Sequence, residues 1–207
     1  MVIMILNLLQ ILEKRGAWAF FLKETLDFDL IPDLKMNLKG TEDIWLKVKN
    51  VDNPKLDGKG LIIGVIYQHG QRYDKFTEKL SERLTYLNAQ KIKYVLVGDF
   101  NLDLMKYNLA TDPTNYLNAI RSAGCNAFIN QPTRIKGRES SCIDHVLSNL
   151  PTDSIDNHII MSGVTDHYGT LSKIEGISRE TSKQDIYFRK TKLSDEKWEE
   201  FTFPKLY

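Results

Sequence analysis

Three short stretches and one tyrosine hold the residues with chemistry to offer. Gly98-Asp99-Phe100-Asn101-Leu102-Asp103 follows an apolar run, at the strand end where ligands sit in α/β sheets. Asp99 and Asn101 are two apart, so in an extended segment they share a face. The carboxylate accepts a proton or holds a water; the amide donates to an anionic oxygen. An Asx-rich turn is the competing reading of the same residues. In Ser141-Cys142-Ile143-Asp144-His145, Asp144 interrupts an apolar strand. An inward carboxylate is costly without a partner, so Asp144 needs a donor such as an imidazole or a hydroxyl; alternatively it faces water from a two-sided strand. Thr165-Asp166-His167-Tyr168 supplies what the carboxylates lack, a group that titrates near neutrality. A buried carboxylate on His167 would fix its tautomer and favour imidazolium. Tyr67 closes a strand and is placed either to donate to an anion or to serve as an ordinary strand-end aromatic. His69, His145 and His158 have no carboxylate at suggestive spacing and read as structural or exposed.

The elements that must position these residues follow from hydrophobic period. Leu61–Tyr67 and Lys93–Val97 are continuous apolar runs, the pattern of buried strands. Between them, Phe76, Leu80, Leu84 and Leu87 recur at helical spacing over Tyr73–Ala89. Pro113–Ala123 predicts a second helix, with Asp112 as N-cap and Gly124 past its end. Asp43–Lys49 alternates as a half-buried strand with Ile44, Leu46 and Val48 on one side. Trp18–Lys23, Cys142–Ser148, Ile155–Met161 and Thr170–Ile174 predict further strands. Asp27–Gly40 and the segment between Asn130 and Ser141 read as loops, and Asn50–Gly60 as a turn. The order predicts an α/β (α+β) protein, two packed sheets flanked by helices.

Composition narrows the options. The 207 residues are 42% hydrophobic and 27% charged, an ordinary globular balance that argues against disorder, collagen or a coiled coil. The net charge is +1, too small for attachment to nucleic acid by bulk charge, though a local basic face remains compatible with it. Cys125 and Cys142 are too few for a disulfide framework and read as buried thiols in a reducing compartment. The apolar residues 1–12 are too short to span a bilayer and lack a basic lead, so a core strand or helix is expected there and no membrane attachment. Past Gly176 the chain turns polar, as a linker does, before a short amphipathic piece at Ser194–Phe201.

The combination GDFN, SxIDH and TDHY, with Tyr67 upstream, resembles the endonuclease/exonuclease/phosphatase family. Within it, the chain resembles the endonuclease region of a non-LTR (LINE- or jockey-like) retrotransposon polyprotein. GVIYQHG, NQPTR followed by SCIDHVLSN, RGAWAFFLKETL and the tail IYFRKTKLSDEKWEEF carry that likeness. It implies DNA nicking with Mg²⁺ (or Mn²⁺), the same two-sheet fold, a reverse transcriptase domain in the parent polyprotein, and an intracellular, nuclear location. It further implies that Asp99 orients or deprotonates the attacking water and that Asn101 donates to the phosphate. Asp166 would lie near the metal, His167 would bond a phosphate oxygen with Asp144 orienting its ring, Tyr67 would touch the phosphate, and Ser141 would support the site. Arg134, Lys136 and Arg138 are candidates for contacts to backbone phosphates.

The chain departs from the family pattern in its first residues. The family's early strands bear an Asn and a metal-binding Glu. Here Asn7 is a poor match, and Glu24 stands at the end of the WAFFLK strand. The expected organisation is an atypical apolar stretch at 1–15, a partial domain at 16–176 and a linker towards a polymerase at 177–207. Such a chain would be impaired or inactive. Thr165 stands where a Ser is usual, and Gly70 where a Pro is usual. Two other readings compete: a phosphomonoesterase or RNase of the same fold, and a non-catalytic nucleic-acid-binding module.

Overall fold

The structure, a computed structural model, describes residues 3–7 (backbone), 27–49, 60–70, 72–161 and 165–174. The Trp18–Lys23 strand, Glu24, most of the Asn50–Gly60 turn and everything past residue 174 lie outside these described residues. In chain order the first elements are β1 (Ile3–Asn7), β2 (Phe28–Leu30), β3 (Thr41–Val48), β4 (Leu61–Gln68), α1 (Tyr73–Ala89) and β5 (Lys93–Asp99). There follow α2 (Thr111–Ser122), β6 (Asn126–Ala127), β7 (Arg134–Lys136), β8 (Glu139–Ser141), β9 (Asp144–Ser148), β10 (Ile155–Ile160) and β11 (Gly169–Ile174).

The strands form a six-stranded sheet in the order β2-β3-β4-β5-β9-β6, a three-stranded sheet β1-β11-β10, and the hairpin β7-β8. β4 and β5 are parallel and joined through α1; β5 and β9 are antiparallel. One core lies between the sheets, where Leu46, Val48, Ile63, Val65, Val95, Val97 and Val146 meet Ile155 and Ile174. The other lies under the helices, where Ile62, Ile66, Tyr94, Leu96 and Leu147 meet Phe76, Leu80, Leu84 and Tyr116. Successive residues of β4, β5 and β9 serve opposite faces, which is why their sequences are apolar without interruption. The apolar stripe of α1 is wholly buried, as its spacing predicts.

Four expectations are corrected. β3 is covered on both faces rather than one: Leu46 and Val48 enter the inter-sheet core, while Trp45 turns to the helices. Asp43 is buried beside it and accepts bonds from the Met36 amide (2.9 Å) and Trp45 Nε1 (2.6 Å). α2 starts two residues before Pro113, with Ala110 at the N-cap position and Asp112 inside the first turn. Proline is tolerated there because first-turn amides lack helical acceptors, and the Asp112 carboxylate complements the positive helix end. The Thr114 hydroxyl donates to the Ala110 carbonyl and accepts from the Asn108 amide, fastening this start. The polar segment before Ser141 is not a plain loop; it folds into β7-β8, turning at Gly137 with φ of 63°. Finally, the Cys142–Ser148 strand begins at Asp144.

Both cysteines are buried free thiols, and burial pushes each thiol up to about 12. No helix among the described residues is long and apolar enough to cross a membrane.

Gly98 is the backbone position on which the site end of β5 depends. Its φ is 151°, and a Cβ there would stand 1.8 Å from the Ile66 carbonyl oxygen of β4. Gly98→Ala is expected to cost on the order of 3 kcal/mol or more, since neither backbone yields cheaply. Thermal unfolding checks this; a Tm within about 2 °C of wild type would show that the strands part without strain.

Candidate active site

Asp99 is the last residue of β5. Its register partner on β4 is Tyr67, and its partner on β9 is Asp144. Sheet pairing therefore brings a tyrosine and two aspartates to neighbouring positions at one end of the main sheet. Asp99 and Asp144 are 4% and 2% exposed. Two buried acids this close cannot both hold full charge without compensation. Burial first, and the Asp144 charge second, raise the Asp99 carboxyl to about 7.

His167 supplies the compensation. It precedes β11 and its Nδ1 lies 2.9 Å and 3.2 Å from the two oxygens of Asp144. Burial pulls the imidazole towards neutrality, but the hydrogen bond and charge of Asp144, with the charge of Asp99, outweigh it and raise its pKa. Nδ1–H thus donates to Asp144, leaving the Nε2 edge for another partner. Ligand atoms of Asp99, Asp144 and His167 fall within 4.8 Å of one another. Among the described residues no glutamate joins this group.

β5 does not continue extended through Asn101. The chain turns at Asn101 with φ of 49°, and Asp99 Oδ1 accepts the Asn101 amide at 3.0 Å. Of the two readings of these residues, the structure takes the Asx turn. Asn101 Nδ2 donates to the Gln68 carbonyl at the end of β4 (2.7 Å), which fixes the amide's plane beside the strand end. Tyr67 is half-buried and stacks on His69 with ring centroids 5.2 Å apart.

Asp166 is not part of the close group of Asp99, Asp144 and His167. Its Oδ2 accepts from Arg134 Nε at 2.8 Å; burial raises the carboxyl, but the hydrogen bond and charge of Arg134, with the charge of His167, together outweigh it and hold the carboxyl below its ordinary range. Arg134 is therefore ion-paired rather than free, while Lys136 and Arg138 are exposed on the hairpin. Ser141 takes part through its carbonyl, which accepts the Thr133 amide at 2.9 Å.

The remaining histidines separate cleanly. His145 follows Asp144 but points to the helix layer, where it stacks on Phe100 at 4.8 Å. Its Nε2–H donates to the Cys142 carbonyl and its Nδ1 accepts from the Tyr116 hydroxyl. Burial depresses it to about 4, so it is a neutral core residue. His69 and His158 are exposed as expected, yet each has a carboxylate nearby: Glu42 at 3.7 Å and Asp156 at 3.0 Å. The Glu42 contact crosses from β3, which sequence spacing could not show.

Two local departures from the family pattern have structural accounts. The Thr165 hydroxyl accepts from the His167 amide and donates to the His167 carbonyl, so a hydroxyl still ties the loop. The Gly70 amide donates to the Gly40 carbonyl at 2.8 Å, a bond a proline could not make. Sequence reasoning missed Thr133, which is fully buried beneath Asp144, because the segment was read for its charges and not for its hydroxyl. It also set Asn7 aside, whereas β1 places Asn7 opposite Thr170, close in sequence to His167.

No family model matches the chain, and no curated protein does. Solved structures do. The chain is similar to the endonuclease domain of TRAS1, a telomere-specific non-LTR retrotransposon, with TM-score 0.53 and 16% identity over 73% of this chain and 68% of that one. It is similar to the 3'-5' exonuclease NExo from Neisseria meningitidis, with TM-score 0.51 and 14% identity over 74% of this chain and 72% of that one. NExo is also known as a 3' phosphatase bound to a product DNA hairpin. The architecture is that of the endonuclease/exonuclease/phosphatase fold.

The electrostatics make a signed prediction. Asp144→Asn removes the charge that favours imidazolium, so the His167 pKa falls. The same change removes the like charge beside Asp99, so that carboxyl falls from about 7 while burial keeps it above its ordinary range. Titration of both side chains by NMR on the metal-free protein reads the two shifts. Unchanged midpoints would mean the groups do not sense one another.

Proposed function

We propose that this protein hydrolyses phosphodiester bonds, with DNA as substrate and nicking as the outcome. The observation that carries the reading is the buried Asp99–Asp144 pair with His167 bound to Asp144 at 2.9 Å. An ionised Asp99 takes the proton of an attacking water, and its pKa of about 7 suits a general base. His167, held as imidazolium by Asp144, donates from Nε2 to a phosphate oxygen. Asn101 donates from the N–H not bound to Gln68, and Tyr67 donates its hydroxyl. Ser141 supports the site from the hairpin. Lys136 and Arg138 reach flanking backbone phosphates, with Arg134 contributing what charge Asp166 leaves it.

The donor chemistry fits a hard divalent cation, since the crowded carboxylate oxygens of Asp99 and Asp144 call for positive charge beside them. Mg²⁺, or Mn²⁺ in its place, would be held by Asp166 directly or through water, next to Asp99. Bound there, it supplies Lewis-acid polarisation of the phosphoryl group and stabilisation of the leaving oxygen. The hold is weak, because Arg134 already occupies one oxygen of Asp166 and no glutamate joins the cluster among the described residues.

The retrotransposon reading is ours too. The GVIYQHG, NQPTR and SCIDHVLSN segments support it, as does the similarity to the TRAS1 domain. It makes a reverse transcriptase domain the natural partner within a polyprotein and the nucleus the place of action.

Supercoiled plasmid tests the reading. With Mg²⁺ in the millimolar range the protein is expected to nick slowly, and Asp99→Ala or His167→Ala to reduce the rate by about 100-fold or more. Saturation at micromolar Mg²⁺ would overturn the weak hold. Faster hydrolysis of a small phosphate monoester than of plasmid would favour a phosphatase. Salt-sensitive DNA binding with no nicking at any Mg²⁺ concentration would favour a binding module.

A further inference from the structure

Thr133 lies between the start of β7 and the loop before it, and it is fully buried. Its hydroxyl oxygen accepts from two consecutive amides, Ile143 at 3.1 Å and Asp144 at 3.0 Å. A hydroxyl has two lone pairs, so both are taken. Its own amide donates to the Ser141 carbonyl at 2.9 Å, and its carbonyl accepts from the Tyr168 amide at 2.6 Å. One residue thus fastens three segments: the end of β8, the start of β9 at Asp144, and the residue after His167. The adjoining Arg134 bridges the backbone of His167 and binds the Asp166 side chain. Asp144 opens β9 in the main sheet, His167 lies just ahead of β11 in the other, and no ladder hydrogen bond joins β9 to β11. Their side chains can meet at 2.9 Å only if something outside the ladders sets the two backbones in place.

We infer that Thr133 is a positioning residue: its buried hydroxyl holds the backbone at Asp144 while its carbonyl holds the backbone at Tyr168, and together they set the Asp144–His167 hydrogen bond. Thr133 touches neither the acids' oxygens nor the imidazole, so it acts through them. The kinetic part of the test rests on the proposed phosphodiesterase activity; the spectroscopic part does not.

Thr133→Val keeps the branched shape and removes the hydroxyl, leaving two buried amides without their acceptor. Thr133→Ser keeps the hydroxyl. The control is Ser148→Ala at the far end of β9, where a buried hydroxyl donates to the Tyr94 carbonyl and accepts from the Leu150 amide. The first readout is the His167 Nδ1 proton resonance of the metal-free full chain. A charge-assisted hydrogen bond places it far downfield. The others are thermal unfolding and nicking with Mg²⁺. The serine variant is expected to keep the resonance and to nick within about two-fold of wild type. The valine variant should lose or shift the resonance, and its kcat should fall by about 100-fold with KM nearly unchanged, the size of a sub-ångström misplacement of catalytic groups. Ser148→Ala should lower Tm and leave the resonance and kcat intact.

The inference is overturned if the valine variant keeps the wild-type resonance, or if Ser148→Ala disturbs it equally. Should the valine variant not fold, Thr133→Ala in the cold reads the same resonance with less crowding. A wild type that never nicks would refute the proposed activity, and the resonance comparison alone would then decide the role of Thr133.

Discussion

Two buried carboxylates facing one another across β5 and β9 are the constraint around which the rest of the protein is arranged. Moving an ion out of water costs several kcal/mol even after relaxation, and a second like charge beside it raises the cost. Asp99 and Asp144 meet it in different ways. Asp144 is matched by the imidazole of His167 at 2.9 Å. Asp99 has no such partner: burial keeps its proton on up to about pH 7, and the Asn101 amide, which favours the ionised form, offsets that only in part. A pair with unequal solutions is a pair with unequal roles: one acid orients a histidine, and the other stays basic enough to take a proton near neutrality.

The fold makes this inequality durable. Alternation along β9 sends Asp144 to the site and His145 into the helix layer, so adjacent residues live in opposite environments. His145 is neutral among Phe100 and Tyr116, and its two ring nitrogens are satisfied by Tyr116 and Cys142. His167 carries the favoured positive charge. β5 does likewise, with Val95 and Val97 in one core and Tyr94 and Leu96 in the other. Close packing on both faces leaves the sheet no freedom to slide the two acids apart, and the conformation at Gly98 lets β4 approach at the residue just before Asp99.

What could be read in advance, and what could not, follows from the range of the interactions. Helical spacing placed Phe76, Leu80, Leu84 and Leu87 correctly because period is local. The need of Asp144 for a donor was legible because an interrupted apolar run states an unpaid electrostatic debt, and the imidazole of His167 was a donor at hand. The β7-β8 hairpin was not legible: its residues are polar, and its order comes from Thr133 and Arg134 reaching distant backbone. β3 looked one-sided because the polar Asp43 and Lys47 stand on the face opposite Leu46 and Val48, yet on that face Trp45 and Asp43 are buried and only Lys47 is exposed. At Asn101 both readings stayed open, because residue types alone cannot separate a strand from an Asx turn at a strand's last residue.

Charge counting at the site gives the last step. Asp99, Asp144 and Asp166 bring three carboxylates; His167 and Arg134 answer with two cations. With Asp99 protonated the balance is neutral, and with Asp99 ionised it is negative by one. The phosphodiester proposed as substrate is itself an anion, so the state in which Asp99 would act as a base is also the state that would repel it. Lys136 and Arg138 are exposed on the hairpin, where solvent screens them. The proposed divalent cation next to Asp99 would resolve the conflict, adding positive charge where Asp99 loses its proton. The Arg134–Asp166 ion pair stands in its way, since one carboxylate oxygen cannot serve the guanidinium and the cation equally well. On the proposed reading, metal affinity and the order of the His167 loop would therefore compete for a single side chain, Asp166.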